Sequence, residues 1–281
     1  VAGVITGLIT SAQGTTVRGS VTVTLDGRRV EAIGARGADE ALLRRRVAMV
    51  FQDPAASLDP RMTVAASIAE PLRTHGLTDG RDGTRSRAEE LLADVSLDAS
   101  FLDRYPHEMS GGQRQRIAIA RALALNPKLI IADEAVSALD VSVQAQVVNL
   151  MEDLQDELGL SYIFIAHDLS VVRHISDRVA VMYLGRMVEL GDEDQIYGRP
   201  VHPYTQALLR ALPEFAADKA RLASLPGVVP GKYDRPTGCL LNPRCPYANE
   251  RCRNEEPELR SIPGRQVKCH TPLDDAGRPT V

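Results

Sequence analysis

The sequence lacks any apolar run that approaches the ~20 residues required for a membrane-spanning helix. It also lacks the charged segment with which a secretory signal peptide begins. An excess of positive charge is missing as well: the net charge is −4 and the pI is near 5.9, so no overall field attracts nucleic acid or anionic lipid. These absences predict a cytoplasmic protein that binds no nucleic acid and reaches a membrane only by docking on a membrane partner.

The composition is that of a globular protein, with 44% hydrophobic and 25% charged residues among 281. This length allows one large domain, or a domain with an appendage. From Leu225 onward the chain is rich in proline and glycine, which is typical of loops. We therefore predict a boundary near residues 213–225, with a main domain over 1–212 and an extension over 213–281.

Three short apolar runs predict strands that are buried on both faces, as in a parallel sheet. Leu129–Ala132 ends in Asp133 and Glu134; the other two runs, Val47–Phe51 and Tyr162–Ala166, end at Gln52 and His167. Any one of these could be an ordinary solvent-exposed strand end. Since parallel sheets build their sites outside the carboxyl ends of the strands, all three together predict one site along one sheet edge.

The remaining patterns predict mainly helices. Ser110 and Gln113 have capping-box spacing at the start of a helix that continues to Leu125. A second helix, with apolar residues from Val143 to Leu158, stops at Gly159. Further predictions are a helix over residues 1–9, a hairpin turning at Asp26-Gly27, helices over 63–105 with a loop at 76–84, a hairpin over 179–190 turning at Gly185-Arg186, and a helix over 204–212.

With these residues in place, the chain resembles the ATP-binding subunits of ABC transporters. The matching motifs are the signature Ser110-Gly111-Gly112-Gln113 followed by RQRIAIARAL, the Walker B run 129–134, the D-loop 137–140, the switch histidine His167 and the Q-loop Gln52. The resemblance implies an α/β fold: a P-loop ATPase core with a mainly parallel sheet, an antiparallel β edge and a helical subdomain at about 53–125. A loop-rich extension that contains the cysteines would follow.

The resemblance also implies roles for these residues in ATP hydrolysis with Mg²⁺. Glu134 would be the general base, His167 would contact the γ-phosphate, and Asp133 and Gln52 would serve the metal, with Gln52 also near the attacking water. The signature residues Ser110, Gly111, Gly112 and Gln113 would contact ATP held by a second ATPase subunit or domain, and Asp140 would lie at that dimer interface. A helix N-terminus flanked by glycines suits such an anion.

Within this family the dipeptide/oligopeptide permease branch is most similar. The resemblance rests on VFQDPAASLDPRMTV at 50–64, HPYTQALLRALP at 202–213 and the cysteine-bearing tail. It implies a peripheral subunit at the cytoplasmic face of the cell membrane, working with two transmembrane permease subunits and an extracytoplasmic peptide-binding protein. Nickel or another small solute is the alternative cargo.

The sequence departs from the family pattern in three places. Ala135 replaces a common proline and Met109 a common leucine, and neither change removes a catalytic group. The third departure is the absence of any GxxxxGK[ST], the loop that cradles phosphates. We therefore expect a fragment lacking its first several dozen residues, or the tail part of a fused chain, that is inactive alone. The alternatives are a non-catalytic metal-binding fragment and a soluble ABC ATPase of DNA repair or translation.

The four cysteines lie together in the tail. Cys239, Cys245, Cys252 and Cys269 are separated by five, six and sixteen residues, which is not the spacing of a zinc ribbon. Clustered cysteines in a cytosolic chain favour a metal over disulfides. The family resemblance implies a four-iron, four-sulfur cluster; zinc and free thiols remain the alternatives.

Overall fold

The structure is a computed structural model and describes residues 2–7, 16–77, 80–212, 225–231 and 233–280. Contacts divide the chain into two compact units, residues 1–171 and 172–281. The boundary predicted near 213–225 falls almost entirely outside the described residues and stays a prediction. No described helix is long and apolar enough to cross a membrane.

The first unit contains a parallel sheet, a hairpin and several helices. In chain order its elements are α1 (Ala2–Ile5), β1 (Thr22–Leu25), β2 (Arg28–Glu31), α2 (Ala38–Arg46), β3 (Val47–Val50), α3 (Pro54–Ser57), α4 (Val64–Thr74), α5 (Gly80–Asp94), α6 (Gly111–Leu123), β4 (Leu129–Asp133), α7 (Val141–Leu158), β5 (Ser161–Ile165) and α8 (Leu169–Ile175), of which α8 runs past residue 171. Two short 3₁₀ turns, Ala99–Phe101 and Pro106–Glu108, lie between α5 and α6.

The three predicted strands pair as one parallel sheet in the order β3-β4-β5. Val50 lies opposite Ala132, and Asp133 opposite Ile165, so the strands end at the same edge. In the middle strand β4, Ile130, Ile131 and Ala132 are buried, as expected for a strand covered on both faces. The prediction of three strands separated by helices is confirmed.

The prediction that β5 is buried on both faces is wrong. Its residues alternate between exposed and half-buried, and Ile163 and Ile165 keep 36% and 37% of their surface exposed. The physical reason is that the described residues leave one face of β5 uncovered, since the exposed residues are every second one along the strand. In the described part of the chain, β5 pairs with β4 on one side only and is therefore an edge strand.

One face of the sheet is covered by the amino-terminal elements. Val47 and Ile131 share a core with Ile5 of α1, Val30 of β2 and Leu43 of α2. The hairpin turns at Asp26-Gly27, and both residues have positive φ (49° and 77°), as the predicted tight turn requires. Residues 1, 8 and 9 of the predicted first helix lie outside the described residues.

Helix α6 connects the sheet to the helical part of this unit. It packs against β3 and against α3, α4, α5 and α7. The middle of the helix is buried on more than one side, because Ile117 and Ile119, at 0% and 1% exposure, point to nearly opposite sides of it. The helix ends at Leu123 rather than Leu125, and α5 already begins at Gly80 inside the loop predicted over 76–84.

The second unit contains a four-stranded antiparallel sheet. Its elements are β6 (Arg178–Tyr183), β7 (Arg186–Asp192), α9 (Glu193–Gly198), α10 (Pro203–Arg210), α11 (Glu250–Asn254), β8 (Arg260–Ile262) and β9 (Arg265–Val267). The strand order is β6-β7-β9-β8, so the predicted hairpin of β6 and β7 is extended by a second hairpin from the tail. The tail was predicted to be loop-like; α11, β8 and β9 correct this, because Gly264 allows a turn with φ 78°.

Candidate active site at the carboxyl edge of the parallel sheet

Three of the predicted catalytic side chains meet at the edge of the sheet. The amide Nε2 of Gln52 donates to the Glu134 carboxylate at 2.8 Å, and His167 Nδ1 lies 3.6 Å from the same oxygen, Oε2. Each residue follows the end of a different strand, and the parallel register brings the three ends together. The side chain of His167 is 70% exposed and that of Glu134 32%, so the site opens to solvent.

The backbone of Glu134 holds its carboxylate in a defined position. Its N–H donates to the carbonyl of Ile165 at 2.8 Å, and its own carbonyl accepts from the N–H and the hydroxyl of Ser137 at 3.0 and 2.9 Å. Its φ is 47°, a left-handed conformation that residues other than glycine seldom adopt. Such outliers persist where the surrounding structure over-determines them, and here three hydrogen bonds and one adjacent strand do so.

Asp133 and Gln52 offer the oxygen ligands that Mg²⁺ prefers. Asp133 is the last residue of β4 and is half-buried beside Glu134. Gln52 uses its amide nitrogen toward Glu134, which leaves its amide oxygen as an acceptor. A carboxylate and an amide oxygen fit a cation that keeps several waters and binds phosphate oxygens as well.

The predicted signature residues form a second cluster at two helix starts. The Ser110 hydroxyl accepts from the N–H of Gln113 at 3.3 Å, and the Gln113 side chain accepts from the N–H of Ser110 at 2.9 Å, which confirms the capping box. Asp140 caps α7 in the same way by accepting from Val143 at 3.0 Å. Helix caps of this kind leave the first-turn amides directed outward, where an anion can bind.

Close packing of two glycines joins these helix starts. A Cβ on Gly112 would overlap Cγ1 of Val143 on α7, whereas a Cβ on Gly111 would lie 3.5 Å from Leu139. No hydrogen bond in the described part of the chain links this second cluster to Glu134. The structure therefore places Gln52, Glu134 and His167 in one site and Ser110, Gln113 and Asp140 in another.

The four cysteines of the tail are free thiols, and the charges of the other three act on Cys269. Burial raises the pKa of Cys245 to about 11 and that of Cys269 to about 12, and the charges of neighbouring thiolates add to both increases. The N–H of Cys239 donates to the carbonyl of Cys252 at 2.8 Å, and only a glycine at 238 leaves room for that approach. Among the described residues, however, no group of three or more His, Cys, Asp or Glu side chains is arranged to hold a metal ion.

The sequence reading missed a buried charge network in the second unit. The Glu189 carboxylate is fully buried and accepts from the N–H groups of Val201 and His202 at 2.9 and 3.0 Å, and from Arg265 at 3.3 Å. His202 caps α10, and burial lowers its pKa to about 4, with a backbone hydrogen bond to Lys268 opposing this only in part. The available signal was a glutamate inside the apolar run of a predicted strand.

Comparison with known proteins supports the same assignment in both parts of the chain. The ABC transporter family model matches residues 1–137, and the model for the C-terminal region of oligopeptide/dipeptide transporters matches residues 188–252. The dipeptide transport ATP-binding protein DppD of Escherichia coli (strain K12) is 57% identical over 244 residues, which cover 85% of this chain and 74% of that protein.

Two further matches come from another bacterium and from a solved structure. The oligopeptide transport ATP-binding protein AppF of Bacillus subtilis (strain 168) is 55% identical over 232 residues, covering 81% of this chain and 70% of that protein. The dimeric ATP-binding cassette MJ0796, solved in a post-hydrolysis state with ADP and phosphate, superposes with a TM-score of 0.52 at 30% identity, over 61% of this chain and 73% of that one. The chain belongs to the family of ABC transporter ATP-binding proteins, in its dipeptide/oligopeptide branch.

Proposed function

We propose that the chain is the ATP-binding and ATP-hydrolysing subunit of an importer for di- or oligopeptides. The observation that carries this is the convergence of Gln52 and His167 on the Glu134 carboxylate, in a chain of this family. The relatives DppD and AppF are named for dipeptide and oligopeptide transport. The complex is completed by a second ATPase subunit, two transmembrane permease subunits and an extracytoplasmic peptide-binding protein. The chain itself is a peripheral subunit at the cytoplasmic face of the membrane.

Glu134 is the general base in this proposal. Its carboxylate accepts a proton from the water that attacks the γ-phosphate, and the Gln52 amide fixes Oε2 while the other oxygen stays available. His167 lies beside the same carboxylate and donates to the γ-phosphate. Because phosphoryl transfer depends mainly on positioning and charge stabilisation, these contacts account for the part of catalysis that this chain supplies.

Asp133 and Gln52 would hold Mg²⁺ with oxygen ligands in this proposal, and the metal would neutralise phosphate charge. The second cluster serves a different ATP molecule. The first turn of α6, capped by Ser110, directs its amides at the γ-phosphate held by the partner ATPase subunit, and Gly111 and Gly112 allow close approach. Asp140 holds the start of α7 at the same interface.

The test is ATP hydrolysis by the assembled transporter in proteoliposomes containing a dipeptide, with a phosphate-binding GxxxxGK[ST] segment fused ahead of this chain and the partner ATPase site inactivated. Glu134→Gln is expected to retain binding of a fluorescent ATP analogue and to lower hydrolysis ~10²-fold or more, since it removes the base. The control is Glu157→Gln, an exposed residue of α7. Near-normal turnover in Glu134→Gln would reject the assigned role, and hydrolysis that does not respond to dipeptide would reject the importer.

In this proposal the four tail cysteines would hold one metal centre, a four-iron, four-sulfur cluster in preference to zinc, although the described side chains are not arranged around a metal ion. Support comes from their mutual proximity: the charges of all three other thiols act on Cys269. Thiols whose pKa is raised by burial and by like charges become thiolates readily only beside a cation. Anaerobically purified protein is expected to absorb near ~400 nm and to contain iron and sulfide. Stoichiometric zinc in colourless protein would favour zinc, and the absence of both metals would reject the centre.

A further inference from the structure

Arg121, near the end of α6, bonds to a part of the chain that is distant in sequence. Its Nη1 donates to the carbonyl of Ser57 at 2.6 Å in a partly buried position. Burial lowers the pKa of the guanidinium, and the charge of Glu70 on α4 opposes that effect. Burying a charged guanidinium has a desolvation cost, so surface packing alone does not account for the bond between Arg121 and Ser57.

The acceptor of this bond is the last residue of α3, the short helix that follows Gln52. Asp53 caps α3 by accepting from Ala56 at 3.2 Å, and Leu58, directly after it, is only 2% exposed. The carbonyl of Ser57 is one of the C-terminal groups that a helix leaves without an internal partner, and a cation there is favourable. Arg121 therefore binds the C-terminal end of the segment that begins at Gln52.

The donor belongs to the helix whose first turn carries the signature. Ser110 and Arg121 are eleven residues apart along α6, which corresponds to ~16 Å of continuous helix. Buried apolar residues and the contact of Gly112 with Val143 make this helix a rigid body. We therefore expect a displacement at Arg121 to move the first turn of the helix as well.

We propose that Arg121 is a positioning residue that ties the segment after Gln52 to the signature helix, so that the two clusters of this chain move together. This rests on the proposed function, in which Gln52 serves the ATP of its own subunit and Ser110 serves the ATP of the partner. Through this bond, ATP binding or hydrolysis at one site changes the other site. Arg121 lies in neither cluster, and its effect passes through α3 and α6.

Arg116 on the same helix provides a matched control. It is also partly buried, and its Nη1 donates to the backbone carbonyl of Val95 at 2.9 Å. Val95 follows α5 and has no part in the segment after Gln52. Arg116→Met and Arg121→Met therefore remove the same kind of bond from the same helix, and only the second releases α3.

The first measurement is backbone amide hydrogen exchange on the full chain. Arg121→Met is expected to increase exchange over residues 52–58 severalfold relative to Arg116→Met, and Arg121→Lys should lie between Arg121→Met and the wild type. Equal exchange in the two methionine variants would overturn the inference that Arg121 holds this segment. This readout needs no ATP hydrolysis, so it decides the inference even if the proposed function fails.

The second measurement is ATP hydrolysis against ATP concentration in the assembled transporter. Arg121→Met is expected to lower kcat at least ~5-fold and to bring the Hill coefficient toward one with KM little changed, as expected for lost coupling between sites. Arg116→Met should match the wild type within about twofold. If Arg121→Met does not assemble, Arg121→Lys and Arg116→Lys give the same comparison. If the Arg121 variants keep the Hill coefficient of the wild type, the inference is overturned. If the wild-type complex itself does not hydrolyse ATP, the proposed function is rejected instead.

Discussion

The contact between Gly112 and Val143 leads to a quantitative prediction about two neighbouring glycines. Gly111 and Gly112 are the first two residues of α6, so replacing either with alanine gains a similar amount of helix propensity, at most ~1 kcal/mol. The new methyl group meets different surroundings. At residue 111 it lies at an ordinary contact distance of 3.5 Å from Leu139, whereas at residue 112 it overlaps Cγ1 of Val143.

The expected cost of Gly112→Ala follows from that overlap. Overpacking of one methyl group costs about 1–3 kcal/mol, and valine cannot swing away easily because its β-branched side chain has few rotamers. Gly111→Ala should leave stability unchanged or slightly raised. The two variants should therefore differ by about 1–3 kcal/mol in free energy of unfolding, or a few degrees in Tm for a chain of this size.

The assay is urea denaturation of both variants followed by circular dichroism. The double variant Gly112→Ala/Val143→Ala gives a further check, because removal of Cγ1 should recover part of the loss and produce a favourable coupling between the two sites. If Gly112→Ala unfolds at the same urea concentration as Gly111→Ala, the two helix starts are not in the close contact described. The same conclusion would follow if the double variant recovered none of the stability that Gly112→Ala loses.

Three other predictions concern pH, the buried ion pair and catalysis. The pKa of His202 is lowered from 6.5 to about 4, so its contribution to the free energy of unfolding should be complete above pH 6.5. As the pH falls from 6.5 toward 4, the free energy of unfolding should decrease by on the order of 3 kcal/mol. In His202→Asn, the urea midpoint should depend less steeply on pH across that window. Arg265→Met leaves the Glu189 carboxylate buried without its cation and should cost ~3–5 kcal/mol. Arg178→Met, which removes an exposed ion pair with Asp192, should change stability by less than ~0.5 kcal/mol in the same unfolding assay. Since the sequence contains no GxxxxGK[ST], the chain should hydrolyse no ATP by itself and should gain activity when a segment carrying such a loop is fused ahead of it. Mg²⁺-dependent hydrolysis by the chain without that segment, abolished by Glu134→Gln, would contradict this.

The elements that sequence patterns predicted correctly are those whose signals are local. The capping box of Ser110 and Gln113, the left-handed stop at Gly159 and the tight turn at Asp26-Gly27 each depend on a few adjacent residues. The site at the sheet edge was predicted because one rule relates all parallel strands: their carboxyl ends share an edge. Gln52, Glu134 and His167 could therefore be grouped before any distance between them was known.

Features that depend on sheet order or on distant partners could not be predicted in this way. The apolar run of β5 reads like that of β4, and only the sheet order makes β5 an edge strand. The tail strands β8 and β9 are three residues each; they pair with each other, and β9 also pairs with β7, where Glu189 lies opposite Val267. Likewise, no local pattern links Arg121 to Ser57, because their bond spans 64 residues.

The left-handed backbone of Glu134 has a consequence for how this position responds to selection. A glutamate at φ 47° costs roughly 1 kcal/mol or more relative to glycine, which adopts that conformation freely. A library screened only for thermal resistance would therefore enrich glycine or asparagine at residue 134, whereas one screened for ATP turnover would retain glutamate. Divergence of the two screens at this residue would show that the general base proposed for this position is kept at a cost in folding free energy.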